Sequence, residues 1–289
     1  MGPKAPLKFA GTKPGRAVKP GTTLRILGVG DSITVGFLSD QDGGDGNGYR
    51  LKLREDLSRD RVVFAGTESM GGTMSDGYFV RNLSRPRTTQ LTSLSIPKAA
   101  WSAMTIKFMS DHVGPSLKHR PNIVLVHAGT NDMNPNLDIA REGNDPDEAA
   151  GRLGTLIDQI VESCPDATVL VAMIIGCWDE AQFENIVQFQ ALIPGVVQQR
   201  RDAGKHVLAV DFTTFPLEFL RPDGIHPTNE GYRLFGDYWY DFICQLPSDW
   251  IQKPVGPDPD RSGDLSDSVF DEKRPNSWCD WVLKLLCFR

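Results

Sequence analysis

Cysteine is scarce in this chain of 289 residues, which has five cysteines and no C-x-x-C pair. An odd number without paired spacing disfavours a disulfide framework and a zinc site, and neither a metal nor another cofactor is expected. Long apolar runs are also missing, since the longest in the core region, residues 169–175, has the length of a buried strand. A membrane-spanning helix needs about 20 apolar residues, so no transmembrane segment is predicted.

An excess of positive charge is lacking as well. The net charge is −6, and no basic stripe interleaved with aromatic residues occurs, so nucleic-acid binding is not predicted. Residues 1–23 are rich in Lys, Pro and Gly but have no apolar segment of the kind that a secretory signal needs. They are predicted to form a disordered leader, and the protein as written is expected to be intracellular.

The last part of the chain, residues 247–289, is mostly rich in Pro, Asp and Ser and is predicted to be a largely disordered tail. It ends in a short amphipathic patch at residues 278–288. Two interpretations of this patch remain open, a tail that docks on the domain or frays, and a helix that binds a membrane surface or a partner. The chain is expected to be a monomer.

Five short apolar runs, each bounded by Gly, Pro, Asp or Asn, are typical of strands covered on both faces of a parallel sheet. They occupy residues 24–29, 62–65, 123–127, 168–175 and 207–212. Segments with helical periodicity alternate with them at residues 49–57, 149–161, 183–201 and 229–243. Pro194 is expected to kink or split the third of these helices. The alternation predicts a three-layer, doubly wound α/β domain over residues 24–246.

Three polar motifs follow predicted strands. Ser32 follows the first strand in Gly-Asp-Ser-Ile-Thr, and Asn131 follows the third in Gly-Thr-Asn-Asp. Asp223 and His226 lie in Asp-Gly-Ile-His-Pro, beyond the fifth strand. A serine is a poor nucleophile until a base takes its proton, and the base needs a third group to orient it. An asparagine amide can stabilise a developing oxyanion, so the motifs together predict a serine esterase.

These motifs resemble those of the SGNH hydrolases, also called the GDSL esterase/lipase superfamily, over about residues 24–243. The sequences of the motifs are most similar to those of carbohydrate esterase family 3 and acetylxylan-esterase-like proteins. The supporting matches are Gly48-Tyr49-Arg50, Phe64-Ala65-Gly66-Thr67, Met74-Ser75-Asp76 and Gly231-Tyr232. The resemblance implies a five-stranded parallel sheet of flavodoxin-like order 2-1-3-4-5 and a serine hydrolase mechanism without a metal.

The resemblance also implies a role for each site residue. Ser32 matches the nucleophile, His226 the general base and Asp223 the residue that orients the imidazole. Asn131 matches the side-chain oxyanion donor, and the backbone N–H of Ser32 is a second donor. A third donor is the N–H of a glycine in a Ser-Gly pair, where this chain has Ser102-Ala103. Ala103 keeps an N–H group but is strained if the position requires a positive φ.

A second departure from the family pattern lies just before this pair. A Tyr-Phe is expected to run directly into Ala-Ala-Trp-Ser, but residues 80–98 separate the two segments here. This irregular insertion has two open explanations: an intron translated in the gene model, or a genuine surface loop beside the oxyanion position.

The predicted function is hydrolysis of small acyl esters, with an acetylated carbohydrate as the expected substrate. One alternative is a lysophospholipase or short-chain lipase, because fold and triad do not fix the substrate. Another is a catalytically weakened homologue that binds glycans, which Ala103 and the insertion suggest. Resemblance to polysaccharide esterases points to secretion if the N-terminus is incomplete, so localisation stays open.

Overall fold

A parallel sheet forms the centre of the protein in a computed structural model that describes residues 5–67 and 104–259. Its strand order is β2-β1-β3-β4-β5, with every neighbouring pair parallel. The strands are β1 (Thr23–Gly30), β2 (Arg61–Ala65), β3 (Ile123–His127), β4 (Thr168–Met173) and β5 (Val207–Asp211). Each lies on a predicted apolar run, and the order confirms the flavodoxin-like prediction.

Helices cover both faces of this sheet, which gives the predicted three layers. The described helices are α1 (Ser32–Val35), α2 (Arg50–Asp56), α3 (Ile106–His112), α4 (Gly114–Leu117), α5 (Pro146–Ser163), α6 (Glu180–Asp202) and α7 (Asn229–Cys244). Helices α3, α5 and α6 pack on one face, and α2 and α7 on the other. Pro194 lies inside α6 and does not split it, so of the two expected effects splitting does not occur.

Burial on both faces explains why the strands are continuous apolar runs. In β1, Leu27 and Val29 belong to the cluster that includes Leu153 of α5. Ile26 of the same strand belongs to the opposite cluster, with Trp239 of α7. Successive side chains of a strand point to opposite faces, so a sheet covered on both sides needs apolar residues at every position.

The predicted disordered leader has to be corrected for residues 5–23, because they pack on the domain. Leu7 is buried and forms an isolated parallel bridge with Val210 of β5. The fully buried carboxylate of Asp241, on α7, accepts hydrogen bonds from Ala10 N–H at 2.9 Å and Thr12 N–H at 2.8 Å. A buried carboxylate needs such donors, and here the leader backbone supplies them.

The beginning of the predicted tail also packs on the domain, over residues 247–259. The guanidinium of Arg25, in β1, is buried and contacts an Asp258 oxygen at 2.6 Å. The same group donates to the carbonyls of Val255 and Gly256 at 2.9 and 3.0 Å, and Ile251 is buried. A charge in β1 therefore holds a segment that composition alone predicted to be disordered.

Several predictions fall outside the described residues, namely the insertion at 80–98, Ala103 and the patch at 278–288. Over the residues that are described, no helix has both the length and the apolar composition needed to cross a membrane.

Replacing Asp258 with Ala should destabilise the fold, because the buried charge of Arg25 loses its carboxylate partner. We expect the free energy of unfolding in urea to fall by about 1–3 kcal/mol. The control is Asp166→Ala, which removes the exposed ion pair with Arg120 and should change stability by under about 0.5 kcal/mol. Equal effects of the two substitutions would contradict an anchoring role for Asp258.

Candidate active site

Ser32 begins α1, directly after the carboxyl end of β1. Asp31 precedes it as the N-cap of this short helix, and its Oδ1 accepts the N–H of Ile33 at 3.0 Å. Ser32 itself is almost completely buried. The carboxyl ends of parallel strands are where α/β proteins bind ligands, so the serine hydroxyl lies at the expected edge of the sheet.

The turn that carries Ser32 requires glycine at position 30. A Cβ atom there would lie 2.1 Å from Thr34 Oγ1 and 2.3 Å from the carbonyl oxygen of His127. Real Cβ contacts are never this short, and the carbonyl belongs to the neighbouring strand, so it cannot move aside cheaply. Because Gly30 has no side chain, the turn can pack closely against β3. This close packing fixes the position of Ser32 at the edge of the sheet.

His226 and Asp223 complete a continuous chain of hydrogen bonds from the serine. Ser32 Oγ lies 2.8 Å from His226 Nε2, and His226 Nδ1 lies 2.8 Å from Asp223 Oδ2. The other carboxylate oxygen of Asp223 accepts the N–H groups of Ile225 and His226, each at 3.0 Å. The structure therefore joins three of the predicted site residues in the order nucleophile, base and orienting group.

The imidazole is held from several sides. Its ring lies 4.8 Å from the ring of Phe37, centroid to centroid, and its residue is buried. The carbonyl of His226 accepts the N–H of Arg221 at 2.7 Å, and the guanidinium of Arg221 pairs with Asp42 at 2.6 Å. These contacts tie the histidine loop to the loop that follows α1, which carries the serine.

Asp223 is poised to stay ionised. Burial alone would raise its pKa, but hydrogen bonds from the side chain and backbone of His226 and from Ile225 N–H outweigh that effect. The net result is a pKa lowered to about 2. A carboxylate at neutral pH accepts the Nδ1 proton of the imidazole, which leaves Nε2 as the acceptor for the Ser32 hydroxyl.

Asn131 lies in the loop after β3, the strand adjacent to β1. Its side-chain amide donates one hydrogen bond to the carbonyl of Met104 at 3.0 Å. An amide carries two hydrogens, so this contact orients the group, and among the described residues the second hydrogen is left for a ligand. The sheet register pairs Gly30 with His127, so the loops that carry Ser32 and Asn131 leave the sheet side by side.

Asp132, the next residue, anchors the chain that begins at Met104. Its Oδ2 accepts the N–H of Ile106 at 2.9 Å, and its Oδ1 accepts Arg152 Nε at 3.1 Å. Ala103, the third predicted oxyanion donor, lies outside the described residues. The described anchors fix the chain from Met104 onward against the Asn131 loop.

Sequence reasoning missed two residues on the segment after β4. Gln182 is buried in the first turn of α6 and donates to the carbonyl of Thr130 at 2.8 Å, beside Asn131. Trp178 donates its backbone N–H to the carbonyl of Gly224, beside Asp223. The rule that sites gather at strand carboxyl ends could have found both, because they follow the fourth apolar run.

Asp31 differs from Asp223 because it is fully buried. Burial raises its pKa to about 6, against the lowering effect of the hydrogen bond from Ile33 N–H. The folded protein therefore keeps the Asp31 proton up to about pH 6, whereas an unfolded chain releases it near pH 3.9. Between these values the folded state binds more protons, so Asp31 lowers stability as the pH rises.

We predict that Asp31→Asn stabilises the protein at pH 7 by about 1–2 kcal/mol, since it removes a buried negative charge but keeps an acceptor for Ile33 N–H. At pH 4 the gain should disappear, because Asp31 is then protonated in the folded wild type. Urea unfolding at both pH values measures the difference, with exposed Asp138→Asn as the control. The same gain at both pH values would argue against a titrating Asp31.

Comparison with known proteins identifies the family to which this fold and site belong. The sequence profile of the GDSL-like Lipase/Acylhydrolase family matches residues 29–234. The chain belongs to this family. A family 3 carbohydrate esterase from Clostridium thermocellum has 28% sequence identity and a TM-score of 0.55, covering 76% of this chain and 97% of its own. A family 3 carbohydrate esterase from Talaromyces cellulolyticus, 22% identical with a TM-score of 0.54, covers 78% of this chain and 99% of its own and supports the fold.

The curated relatives are larger than the part that this chain matches. A Ruminococcus flavefaciens multidomain esterase is 25% identical over 236 residues, which are 76% of this chain and 28% of that protein. An Acetivibrio thermocellus protein, provisionally named endoglucanase X, is 32% identical over 131 residues, or 44% of this chain and 52% of that protein. These matches confirm the resemblance to GDSL esterases and to carbohydrate esterase family 3.

Proposed function

We propose that this GDSL-family chain is a serine carboxylic ester hydrolase that removes acetyl groups from carbohydrates through an acyl-enzyme. The observation that carries the proposal is the hydrogen-bonded chain Ser32–His226–Asp223, with both side-chain distances at 2.8 Å. It supplies a nucleophile, a base and an orienting carboxylate at one edge of the sheet.

In the first step, Ser32 Oγ attacks the ester carbonyl carbon while its proton passes to His226 Nε2. Asp223 holds the imidazole through Nδ1 and stabilises the imidazolium that forms. The tetrahedral intermediate then collapses, and the proton on Nε2 moves to the departing alcohol oxygen. The products of this half-reaction are the free alcohol and an acetyl ester of Ser32.

The developing oxyanion needs hydrogen-bond donors that are already in place. The N–H of Ser32 lies in the first turn of α1, where backbone N–H groups have no intrahelical carbonyl to pair with. The second hydrogen of the Asn131 amide is the other described donor, oriented by the Met104 carbonyl. Water then attacks the acetyl-enzyme with His226 as the base, which releases acetate and restores Ser32.

The choice of an acetylated carbohydrate rests on the family 3 carbohydrate esterase from Clostridium thermocellum. That protein is 28% identical over nearly its whole length. The chemistry agrees with a short acyl group, because the reacting side chains are deeply buried: Ser32 is 4% exposed, His226 6% and Asn131 8%.

Ser32→Ala should abolish labelling by a fluorophosphonate probe, because the probe reacts only with an activated serine hydroxyl. We expect hydrolysis of p-nitrophenyl acetate to fall by on the order of 10⁴-fold or more. The exposed Ser58→Ala should label and turn over like the wild type. Labelling that survives in Ser32→Ala would overturn the assignment of the nucleophile.

The same assays test which acyl chain length the protein hydrolyses and whether the insertion at 80–98 blocks the site. Hydrolysis confined to long acyl chains would contradict the acetyl esterase proposal and favour a lipase. Absent labelling in both the full chain and a variant lacking residues 80–98 would instead favour a glycan-binding homologue without hydrolase activity. Labelling that appears only after the deletion would show that the insertion blocks the site.

Asn131→Ala should lower kcat by about 10²–10³-fold with little change in KM, since an oxyanion donor acts mainly in the transition state. Asn136→Ala is the matched control, because Asn136 is an exposed asparagine in the same loop. Steady-state kinetics on p-nitrophenyl acetate separate the two parameters. An increase in KM at unchanged kcat would contradict the oxyanion role and indicate ground-state binding.

A further inference from the structure

Trp178 lies against the loop that carries Asp223, the proposed orienting carboxylate, and His226, the proposed base. Its backbone N–H donates to the carbonyl of Gly224 at 2.9 Å. Gly224 has a φ of +70°, and a Cβ atom there would lie 2.8 Å from Trp178 Cβ and 3.1 Å from Cγ. The tryptophan side chain therefore packs directly on the residue that follows Asp223.

The same segment is also tied to the oxyanion side of the site. Gln182, four residues after Trp178, donates to the carbonyl of Thr130 at 2.8 Å and accepts a hydrogen bond from Asn134 at 3.1 Å. Residues 178–182 thus bridge the loop of Asp223 and the loop of Asn131. This bridging position places Trp178 at the rim of the proposed active site.

The indole ring is held in place although half of its surface faces solvent. Trp178 is 52% exposed, and its Nε1–H donates to the carbonyl of Leu217 at 3.1 Å. Phe183 is 38% exposed, and a Cβ atom built on Gly176 would lie 2.7 Å from its ring and 3.3 Å from the Leu217 side chain. Because the polar atom of the indole is already paired, what Trp178 offers to solvent is an apolar surface.

We propose that Trp178 and Phe183 form an aromatic platform on which the pyranose ring of an acetylated carbohydrate rests during deacetylation. This inference rests on the proposed function and assigns the binding site for the alcohol part of the ester. One face of a pyranose consists largely of C–H groups, which pack against the electron-rich face of an aromatic ring. The hydroxyl groups at the sugar's edge stay in water.

A sugar ring fits this surface better than a long acyl chain does. An acyl chain gains affinity by being enclosed, as in the apolar clefts that bury most of a ligand. Two half-exposed rings on a rim cannot enclose a chain, but they can cover one face of a flat ring. The fixed orientation of the indole also reduces the ordering that binding requires.

The test compares Trp178→Ala and Trp178→Phe in the full chain on two substrates. Acetylated xylobiose carries the sugar ring, and methyl acetate carries the same acyl group on an alcohol with no ring. We expect Trp178→Ala to lower kcat/KM for acetylated xylobiose by at least about 10-fold, mainly through KM, and to leave methyl acetate within about 2-fold. Trp178→Phe should retain most of the activity on the sugar ester.

Val255→Ala is the control for removing an exposed apolar side chain. The carbonyl of Val255 accepts a hydrogen bond from Arg25, and neither residue belongs to the loops of Ser32, Asn131 or Asp223. An equal loss on both substrates would overturn the platform and show that Trp178 only supports the Asp223 loop. If the wild type hydrolyses both esters, no loss on either substrate in Trp178→Ala would also overturn the platform. A wild type that hydrolyses methyl acetate but not acetylated xylobiose would overturn it as well.

A binding measurement separates failure of the platform from failure of the proposed chemistry. Calorimetry with acetylated xylobiose compares Ser32→Ala with Ser32→Ala/Trp178→Ala, neither of which turns the ligand over. Weaker binding in the double variant supports the platform even if the wild type hydrolyses neither ester, which would contradict only the esterase. Equal binding by the two variants rejects the platform.

Discussion

The close backbone approach at Gly30 is the constraint on which the site depends. Because no side chain stands between Gly30 and the carbonyl of His127, the end of β1 closes onto the end of β3. The loops of Ser32 and Asn131 therefore start from paired positions of adjacent parallel strands. As the proposed nucleophile, Ser32 then needs only a base from the third loop, and His226 lies 2.8 Å from its hydroxyl.

Two aspartates near Ser32, the proposed nucleophile, have pKa values shifted in opposite directions. This difference agrees with the proposed chemistry. Asp223 is partly exposed and accepts three hydrogen bonds, so its pKa falls to about 2 and its charge is available to hold the imidazole. Asp31 is fully buried, and burial raises its pKa to about 6. Its carboxyl group is better placed to cap α1 than to compete with Asp223 for the histidine. Pairs of carboxyl groups whose environments separate their pKa values often mark a division of roles.

The sheet could be predicted from the sequence because its signal is local. A strand covered on both faces must be apolar at every position, and all of the runs that satisfied this rule became strands. The proximity of Ser32, His226 and Asp223 could be predicted because these residues lie in short motifs at strand ends. The packing of residues 5–23 and 247–259 could not be predicted, because it depends on contacts of single residues. These are Leu7 on β5, the Asp241 carboxylate and the Arg25–Asp258 pair. The Asp241 carboxylate accepts N–H groups of the first segment from more than 200 residues away. No local pattern in a segment rich in Lys, Pro and Gly predicts such a contact.

The difference between local patterns and long-range contacts also explains why Ser32, Asp223 and His226 were predicted from the sequence. The rim residues Trp178 and Gln182 were not. Trp178 contacts the loop of Asp223 through its backbone N–H, which every residue carries, and Gln182 contacts the loop of Asn131 through a side-chain amide that belongs to none of the three motifs. In the proposed function, the rim nevertheless bears on specificity. Ser32 and His226 are buried, whereas Trp178 and Phe183 expose apolar surface, which agrees with the proposal that the acyl group enters the recess and the alcohol lies on the rim. Under the proposed function, discrimination between acyl groups therefore belongs to the buried part of the site, and discrimination between alcohols belongs to the rim that tertiary contacts build.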